Sequence, residues 1–496
     1  MKRRQSEMAK LDLSINKKVR DNALKRVREK NIIIPTFAQM RNPKLIPNEI
    51  KEQLSKIGLW DVHPRNLFRI TWKNQPKEFG GGFGGVNYFE LPSSLTGVPA
   101  RIIGIVGKWF PTGAHKVGAA FGCLVPRLVT GQFDPIHQKA VWPSTGNYCR
   151  GGAYDSALLG CESIAILPEG MSKERFDWLK QIAGEIIATP GTESNVKEIF
   201  DKCNELRRSG QDLVIFNQFD EFGNYIWHYD VTGHAIAEVL KKELGKDDEF
   251  RGVALTTGSA GTIACGDYLK SLYPNSKIAA SEALQCPTLL NNGFGAHRIE
   301  GIGDKHVPWV HNVYTTDLVT AIDDVAVTNI ARLFNEKVGQ QYLIKKGVPR
   351  SAVAKLDLMG FSGIANMLSA IKMAKYYEMT EKDVLVVMFT DSMELYGSRI
   401  VEYREEAGEL DKFGAAEIYA RDLMGETTNN MLELTYPERK RVHNLKYYTW
   451  VEQQGKTYEE IQAQWYDPTY WAGFRDQADE IDVLIEEFNA LSKVKA

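Results

Sequence analysis

The chain has 496 residues, about three times the length of a typical single domain, so we expect two or three packed units with ample core. Hydrophobic residues make up 43% and charged residues 25% of the composition, which excludes wholesale disorder, collagen-like repeats and coiled-coil rods. The net charge of −2 provides no overall field that would attract nucleic acid or an acidic membrane. A site for a small molecule is the better expectation.

The first thirty residues carry eleven Lys and Arg against four Asp and Glu. No apolar stretch follows that would complete a secretory signal, and no window approaches the ~20 apolar residues that span a bilayer. We predict a solvated basic helical arm here, with contact to nucleic acid as the less favoured alternative. The six cysteines contain no C-x-x-C pair, which favours a reducing, cytoplasmic location.

A glycine-rich segment lies ahead of the first predicted strands. Gly80, Gly82 and Gly85 formally satisfy the pattern G-x-G-x-x-G. The dinucleotide-binding motif needs a buried strand before these glycines and a helix start after them, and the sequence predicts neither. We interpret the segment as a flexible turn, and a nicotinamide dehydrogenase is not indicated.

From about residue 100 onward, short β-branched runs alternate with longer helical patterns, which is typical of parallel sheets covered by helices on both faces. The predicted strands cover residues 140–142, 163–167, 185–188, 213–216, 253–256, 278–282 and 384–389. The predicted helices cover residues 173–184, 195–208, 232–244, 262–272 and 364–377. The last hundred residues are crowded with aromatic side chains, so we expect this C-terminal extension to dock on the body or on a partner subunit.

A lysine stands at the start of an apolar helix pattern, in the sequence His115-Lys116-Val117. In open parallel sheets, ligands bind in loops at the carboxyl ends of the strands. A lysine buried in such a place costs desolvation energy unless it is neutralised or covalently bonded, so a Schiff base with an aldehyde would explain Lys116. Taken alone, the motif favours the alternative, an ordinary lysine that caps a loop.

Three further loops carry hydroxyl groups and small residues. Residues 144–147 offer hydroxyls for a carboxylate and an asparagine amide for a phenolic oxygen. Residues 258–262 let backbone N–H groups approach a phosphate but lack the lysine of a P-loop, which indicates a cofactor anchor. Residues 390–392 end the strand predicted at 384–389, where a simple helix cap is the alternative.

In this order, the four loops resemble the fold-type-II family of pyridoxal-phosphate enzymes, which includes tryptophan synthase β, cysteine synthase, cystathionine β-synthase and threonine deaminase. Residues 112–116 are similar to the cofactor-lysine motif of tryptophan synthase β, and residues 144–147 to the substrate loop of cysteine and threonine synthases. Residues 297–303 resemble the H-x-I-x-G-I-G segment of cysteine synthase, and residues 390–396 its Asp-Ser stretch. The similarity covers roughly residues 80–400.

The resemblance implies pyridoxal 5′-phosphate as the cofactor, with Lys116 as its Schiff-base residue and later as the acid and base at Cα. It implies cofactor contacts from His115, Asn147, Gly258, Ser259, Ala260, Gly261, Thr262 and Ser392. It implies substrate contacts from Ser144, Thr145, Gly146, Tyr148, Arg150 and Gly301. A serine at the pyridine nitrogen makes the ring a weaker electron sink than an aspartate would, which suits loss of a β-leaving group.

Three features limit the implied chemistry. Ser144 stands where tryptophan synthase β has a glutamate, so indole chemistry is not expected. Arg150 replaces a small residue and either recognises a second acidic group of the substrate or is solvated at the helix start. The histidines of residues 297–311 lack metal-ligand spacing on one helix face, so no metal site is expected.

The resemblance also implies the architecture: an α/β fold with two three-layer α/β/α domains and mainly parallel sheets, plus N- and C-terminal extensions. The larger, cofactor-binding domain is expected at residues 79–116 and 235–400, and the smaller, substrate-loop domain at 117–234. The extensions are expected at residues 1–78 and 401–496.

The function implied by the resemblance is β-elimination or β-replacement on a small β-substituted amino acid such as serine, cysteine or an O-acylserine, through an aminoacrylate. The alternative is a cofactor-containing β-type subunit of a larger complex that needs a protein partner. We expect a cytoplasmic homodimer with an amino-acid substrate and without nucleic-acid or membrane partners.

Overall fold

The computed structural model describes residues 9–496, apart from the side chain of Phe79. Its eleven strands are β1 (Tyr88–Leu91), β2 (Arg101–Val106), β3 (Lys139–Pro143), β4 (Ser163–Pro168), β5 (Glu185–Thr189), β6 (Leu213–Ile215), β7 (Glu249–Thr256), β8 (Lys277–Ala283), β9 (Leu318–Ile322), β10 (Asp383–Phe389) and β11 (Met431–Glu433). All seven predicted strands coincide with observed ones, except that residue 216 falls just beyond β6.

The strands form two sheets. The larger sheet has the order β1-β2-β10-β7-β8-β9-β11, in which the five inner strands are parallel and the two edge strands antiparallel. The smaller sheet has the order β5-β4-β3-β6 and is parallel throughout. Inner strands such as β10 are buried over almost their whole length, which explains their continuous apolar sequence.

Helices cover the sheets and form both ends of the chain. They are α1 (Lys17–Glu29), α2 (Phe37–Arg41), α3 (Asn48–Leu54), α4 (Ser93–Thr96), α5 (Lys116–Thr130), α6 (Asn147–Leu158), α7 (Lys173–Ile182), α8 (Val196–Arg208), α9 (Phe222–Trp227), α10 (Gly233–Glu243), α11 (Ile263–Leu272), α12 (Thr288–Asn291), α13 (Asp324–Asn335), α14 (Lys337–Lys345), α15 (Arg350–Val353), α16 (Phe361–Tyr376), α17 (Gly397–Ala407), α18 (Lys412–Ile418), α19 (Tyr436–Asn444), α20 (Tyr458–Tyr466), α21 (Tyr470–Arg475) and α22 (Gln477–Ser492). This architecture confirms the predicted α/β fold class. No helix among residues 9–496 combines the length and the apolar character needed to cross a bilayer.

The N-terminal helix does not behave as the solvated arm predicted from its charge. Helix α1 packs against α5 and α22 and buries Arg20, Ala23, Leu24 and Val27. These positions follow the i, i+3, i+4, i+7 spacing of one helical face, so a short apolar stripe outweighs the surrounding lysines. The prediction was wrong for residues 17–29, and residues 1–8 lie outside the described part of the chain.

The C-terminal segment lies against the body of the same chain. The rings of Phe222 and Phe474 stack with centroids 3.7 Å apart, and the Trp450 indole N–H donates to the carbonyl oxygen of Val307 over 2.8 Å. Strand β11 comes from this segment and pairs with β9 at the edge of the larger sheet. The aromatic residues therefore complete the core of this chain.

Candidate active site

A cavity lies where the carboxyl ends of strands from both sheets meet. Lys116 follows β2, Ser144 follows β3, Gly258 follows β7 and Thr390 follows β10, and all four line this cavity. Of the residues that the sequence predicts for the site, the cavity is lined by His115, Lys116, Ser144, Thr145, Asn147, Tyr148, Gly258, Ser259, Ala260, Thr262 and Gly301. The fold thus brings together residues from four loops that are far apart in the sequence.

Lys116 is the first residue of α5, and its amine points at the loop of residues 258–262 after β7. The Nζ atom donates to Ser259 Oγ over 2.8 Å and to Gln218 Oε1 over 3.2 Å. Burial lowers the pKa of Lys116 to about 8, and the nearby Asp304 carboxylate partly opposes this shift. A lysine with such a pKa is available as an amine close to neutral pH, which suits a nucleophile or a general base.

We expect the lowered pKa to be measurable on the cofactor-free protein. Acetic anhydride reacts with the neutral amine. The extent of Lys116 acetylation, measured by mass spectrometry at a series of pH values, should therefore be half-maximal near pH 8. An ordinary exposed lysine has a pKa of ~10.4. Because the Asp304 carboxylate favours the ammonium, Asp304→Asn should move the midpoint to lower pH. A midpoint near that of the exposed lysines would contradict the burial argument.

His115 is held in place beside the lysine. It is buried, its backbone N–H donates to the Thr390 carbonyl oxygen over 3.1 Å, and its Nδ1 lies 3.2 Å from the same oxygen. Its ring stacks on Trp72 at 5.9 Å and meets His228 edge-on at 5.1 Å. Burial lowers the pKa of His115 to about 3, so the imidazole is neutral at physiological pH. It therefore adds no positive charge beside Lys116.

The loop 258–262 links β7 to α11 and has the features of a phosphate cradle. Ala260 adopts a left-handed φ of 57°, and a Cβ on Gly261 would lie 2.1 Å from the Asn224 Oδ1 atom, so only glycine fits there. The loop ends at the N-terminus of the ten-residue helix α11, where backbone N–H groups and the helix dipole favour an anion. Gly261 itself does not line the cavity and lies against the Asn224 side chain.

Asn147 and Ser392 each carry a buried polar atom without a partner among the described residues. Asn147 Nδ2 donates to Asp391 Oδ2 over 2.6 Å, whereas its Oδ1 has no partner. The Ser392 hydroxyl also has no partner among the described residues. Ser392 does not line the cavity, whereas Thr390 of the same loop does. An unpaired buried polar atom costs roughly 1–3 kcal/mol. The small-residue cradle and these orphaned atoms fit a polar ring with a phosphate, as pyridoxal phosphate has.

The proposed substrate loop is tied to the rest of the site by Glu193, a residue that no sequence motif revealed. The Thr145 hydroxyl donates to Glu193 Oε1 over 2.5 Å, and the Gly301 N–H donates to the same oxygen over 2.8 Å. The Ser144 hydroxyl accepts from Gly146 N over 3.0 Å. Burial raises the pKa of Glu193 to about 8. The carboxyl group therefore joins the two loops that surround the proposed substrate position.

Behind this loop, Arg175 forms the centre of a buried polar network. Its Nη1 lies 2.6 Å from Glu300 Oε2 and 3.8 Å from Glu193 Oε2. Its Nη2 donates to the Tyr396 hydroxyl over 3.0 Å, and that hydroxyl donates to Asp391 Oδ2 over 2.6 Å. Since Asp391 also accepts from the Asn147 amide, the network connects helices α6 and α7 to the loop after β10.

Arg150 is not brought to the cavity. It is buried, with its guanidinium 4.7 Å from the ring centroid of Trp178 and 5.6 Å from that of Trp60. Burial lowers the pKa of Arg150 to about 10, which still leaves it charged at neutral pH. The alternative of a solvated helix-start arginine is wrong, because aromatic rings enclose the side chain. Tyr148 lines the cavity and packs edge-on against Trp142.

Asp304 is a second site residue that the sequence analysis missed. It lines the cavity, and its buried Oδ2 has no hydrogen-bond partner in the described part of the chain. Burial raises the pKa of Asp304 well above the usual carboxyl range, and Lys116 opposes the shift. The signal was its position directly after Gly303, at the end of a segment already assigned to the site.

Comparisons with known proteins agree with this site. The family described as pyridoxal-phosphate dependent enzyme matches residues 110–391. Cystathionine beta-synthase of Saccharomyces cerevisiae is 28% identical over 322 residues, which cover 63% of this chain and 60% of the yeast protein. A probable cysteine synthase of Bacillus subtilis is 29% identical over 288 residues, which cover 58% of this chain and 85% of that protein.

A solved structure shares the fold. The hydrogen sulfide-producing enzyme of Fusobacterium nucleatum superimposes with a TM-score of 0.54 at 22% identity, and the match covers 63% of this chain and 97% of that one. The family match spans more than half of the chain and includes Lys116 and residues 144–147 and 258–262. The chain belongs to the family of pyridoxal-phosphate-dependent enzymes, and its cofactor is pyridoxal 5′-phosphate.

Proposed function

We propose that the chain catalyses β-elimination or β-replacement on a small β-substituted amino acid, such as serine, cysteine or an O-acylserine. Two similarities support this proposal. Relatives at 28% and 29% identity are named cystathionine beta-synthase and cysteine synthase. A structural neighbour is named as a hydrogen sulfide-producing enzyme. The names of the two relatives describe chemistry at the β-carbon of an amino acid.

The observation that carries the proposal is the position of Lys116. Its amine lies in the cavity between the substrate loop and the small-residue cradle, with a pKa lowered to about 8. When bound, pyridoxal phosphate withdraws electrons from the substrate Cα and so permits loss of a group from Cβ. Lys116 is placed to take the Cα proton and to return it, because its neutral and charged forms are both accessible near neutral pH.

The other residues bind and orient. We propose that loop 258–262 holds the phosphate at the N-terminus of α11 and that Asn147 and Ser392 satisfy polar atoms of the cofactor ring. The Ser144 hydroxyl accepts from Gly146 N and keeps its own O–H to donate to the substrate carboxylate. The Thr145 hydroxyl, which donates to Glu193 here, would turn to the substrate carboxylate when the substrate binds. The walls of the cavity exclude bulk water, which strengthens each of these interactions.

A direct assay tests the proposal. Cysteine, serine, O-acetylserine, threonine and aspartate are added separately to the cofactor-loaded protein, and release of sulfide, acetate and keto acid is measured together with the cofactor absorbance. We expect turnover with at least one of the first three substrates and none with aspartate. Turnover restricted to threonine or aspartate would contradict the proposed substrate class.

Thr145 offers a sharper test of substrate binding. Replacing it with valine removes the hydroxyl that donates to Glu193 and, in the proposal, contacts the substrate carboxylate. We expect Thr145→Val to raise KM by about tenfold while kcat changes by less than about threefold, because the contact is the same in the ground and transition states. Thr145→Ser, which keeps the hydroxyl, should behave like the wild type. An unchanged KM in the valine variant would remove Thr145 from the substrate site.

A cofactor-containing subunit that needs a partner is the second candidate. The C-terminal aromatic residues, which suggested it, pack on the chain's own body. We therefore propose a homodimer that is active alone, and light scattering combined with the same assay tests this. Activity only after addition of a second protein would favour the subunit.

A further inference from the structure

A second cavity lies outside the active site and is much larger. It has a volume of about 1070 Å³ and is bounded by the segment after α2, the glycine-rich loop 80–85 and helix α10. We call it the basic groove. Its glycine-rich wall is the segment interpreted from the sequence as a flexible turn, and none of the residues that line the active-site cavity takes part in it.

The groove concentrates positive charge in a chain whose net charge is −2. Its lining contains Arg41, Lys44, Lys51, Arg69 and Lys73, whereas Glu238 is its only carboxylate. A concave surface with one sign of charge focuses the electrostatic field and raises the local concentration of oppositely charged ligands. The excess of cations therefore points to an anion.

Part of this charge is not neutralised within the described part of the chain. Arg41 pairs with Asp230 over 2.5 Å, and Lys73 pairs with Glu238 over 2.5 Å. Lys44 and Lys51 have no carboxylate within ion-pair distance in residues 9–496, and Lys51 donates only to the carbonyl oxygen of Lys44 over 3.3 Å.

Arg69 is a buried cation on the same wall. Its guanidinium donates to the carbonyl oxygens of Ile57 over 2.6 Å and Leu54 over 2.7 Å, and to the Asn66 side chain over 3.1 Å. All of these acceptors are uncharged. The positive charge of Arg69 is thus held in position by neutral acceptors; the Asp61 carboxylate is near enough to favour the charged form but makes no ion pair with Arg69 within residues 9–496.

Two of the glycines in the loop are not explained by the fold. A Cβ on Gly82 or on Gly85 would meet nothing within 4 Å, and neither residue has a positive φ. Packing and backbone conformation would therefore accept a side chain at both positions. A glycine with no such internal reason fits a place where the backbone itself must approach a ligand closely.

We propose that the basic groove binds a small polyanion, namely a phosphorylated metabolite with at least two negative charges. Lys44 and Lys51 would contact the outer charges, Arg69 would supply the fixed field, and the backbone of loop 80–85 would lie against the phosphate groups. Two or more charges are needed because the free cations are separate side chains distributed over one wall of a groove.

The proposal is tested with pyrophosphate on the cofactor-loaded protein, so that the phosphate cradle of the active site is already filled. Binding is measured by isothermal titration calorimetry, and the shift in Tm is measured with the same additions. The variant Lys44→Glu/Lys51→Glu is compared with Lys345→Glu/Lys382→Glu, in which two exposed lysines outside the groove are reversed. Both pairs change the net charge by the same amount.

We expect pyrophosphate to bind the wild type, to bind the Lys44/Lys51 variant at least tenfold more weakly, and to bind the Lys345/Lys382 variant within about twofold of the wild type. A third variant, Gly82→Val/Gly85→Val, leaves the charge unchanged and should weaken binding at least fivefold by filling the loop face. Citrate, a carboxylate polyanion, should bind more weakly than pyrophosphate.

Several results would overturn the proposal. These are no binding of millimolar pyrophosphate to the wild type, equal weakening in both charge-reversed pairs, wild-type binding by the glycine variant, or tighter binding of citrate. Light scattering could give a further result that overturns the proposal. If the wild type is a dimer that the Lys44/Lys51 variant disrupts, a second copy of the chain covers the groove and the ligand assignment is wrong.

Discussion

Replacing Lys116 with alanine is expected to lower kcat/KM for the β-elimination or β-replacement reaction by at least about 10³-fold. The amine is the one lysine amine that the cavity encloses, and it lies between the substrate loop and the phosphate cradle. Its loss removes both the attachment to the cofactor aldehyde and the group that moves the Cα proton. Borohydride should also no longer fix the cofactor to the chain, which mass spectrometry would show.

Lys108 provides the matched control for this substitution. It lies in the same loop between β2 and α5, and its amine contacts Asp357 at 3.4 Å outside the cavity. Lys108→Ala should keep the cofactor absorbance and should keep the activity to within about threefold of the wild type. If the Lys116 variant retained near-normal activity, or if borohydride fixed the cofactor to Lys108 instead, the assignment of Lys116 would fail.

The parts of the fold that the sequence predicted are those buried on both faces. Strands β4 and β10 contain long apolar runs because helices cover both sides of the sheets, and β7 and β8 contain shorter apolar runs within their length. All four can therefore be recognised from local sequence. Strand β11, with three residues at an edge, has no such pattern and depends on pairing with a strand more than a hundred residues away. No local rule could identify it.

The same division applies to the site. Lys116 and the small-residue cradle stand next to strand ends, where chain order and residue type already indicate a ligand. Neither Glu193 nor Arg175 lies in a recognisable motif. Glu193 follows β5 and contacts Thr145, which follows β3 of the same sheet, whereas the contacts of Glu193 with Gly301 and of Arg175 with Glu300 exist only because the two sheets are packed together. The substrate contact expected of Arg150 stays a prediction. Its position on α6 places the guanidinium against two tryptophan rings, which its charge did not indicate.

The buried Arg175 network yields the second large expected effect. Arg175 is completely buried and pairs with the buried Glu300 carboxylate at 2.6 Å, and the Glu193 carboxyl group lies 3.8 Å away. Removing one partner of a buried ion pair leaves an uncompensated charge and typically costs about 3–5 kcal/mol. We therefore expect Arg175→Met to lower the free energy of unfolding by about that amount, measured by urea denaturation of the cofactor-loaded protein. Arg207→Met, on the exposed face of α8, should change it by less than about 0.5 kcal/mol.

The pH dependence of this loss distinguishes charge from packing. The folded-state pKa of Glu193 is already raised to about 8, and loss of the Arg175 charge raises it further because the arginine favours the carboxylate. A carboxyl with a raised folded-state pKa holds its proton in the native protein and releases it on unfolding, so stability falls as pH rises toward that pKa. The gap between variant and wild type should therefore widen above about pH 8, where Glu193 has lost its proton in the folded wild type but not in the folded variant. In Arg175→Met/Glu193→Gln, the amide oxygen can still accept from Thr145 and Gly301 but carries no charge. Partial recovery of stability in this double variant is expected, and a pH-independent loss without recovery would mean that Arg175 acts through packing alone.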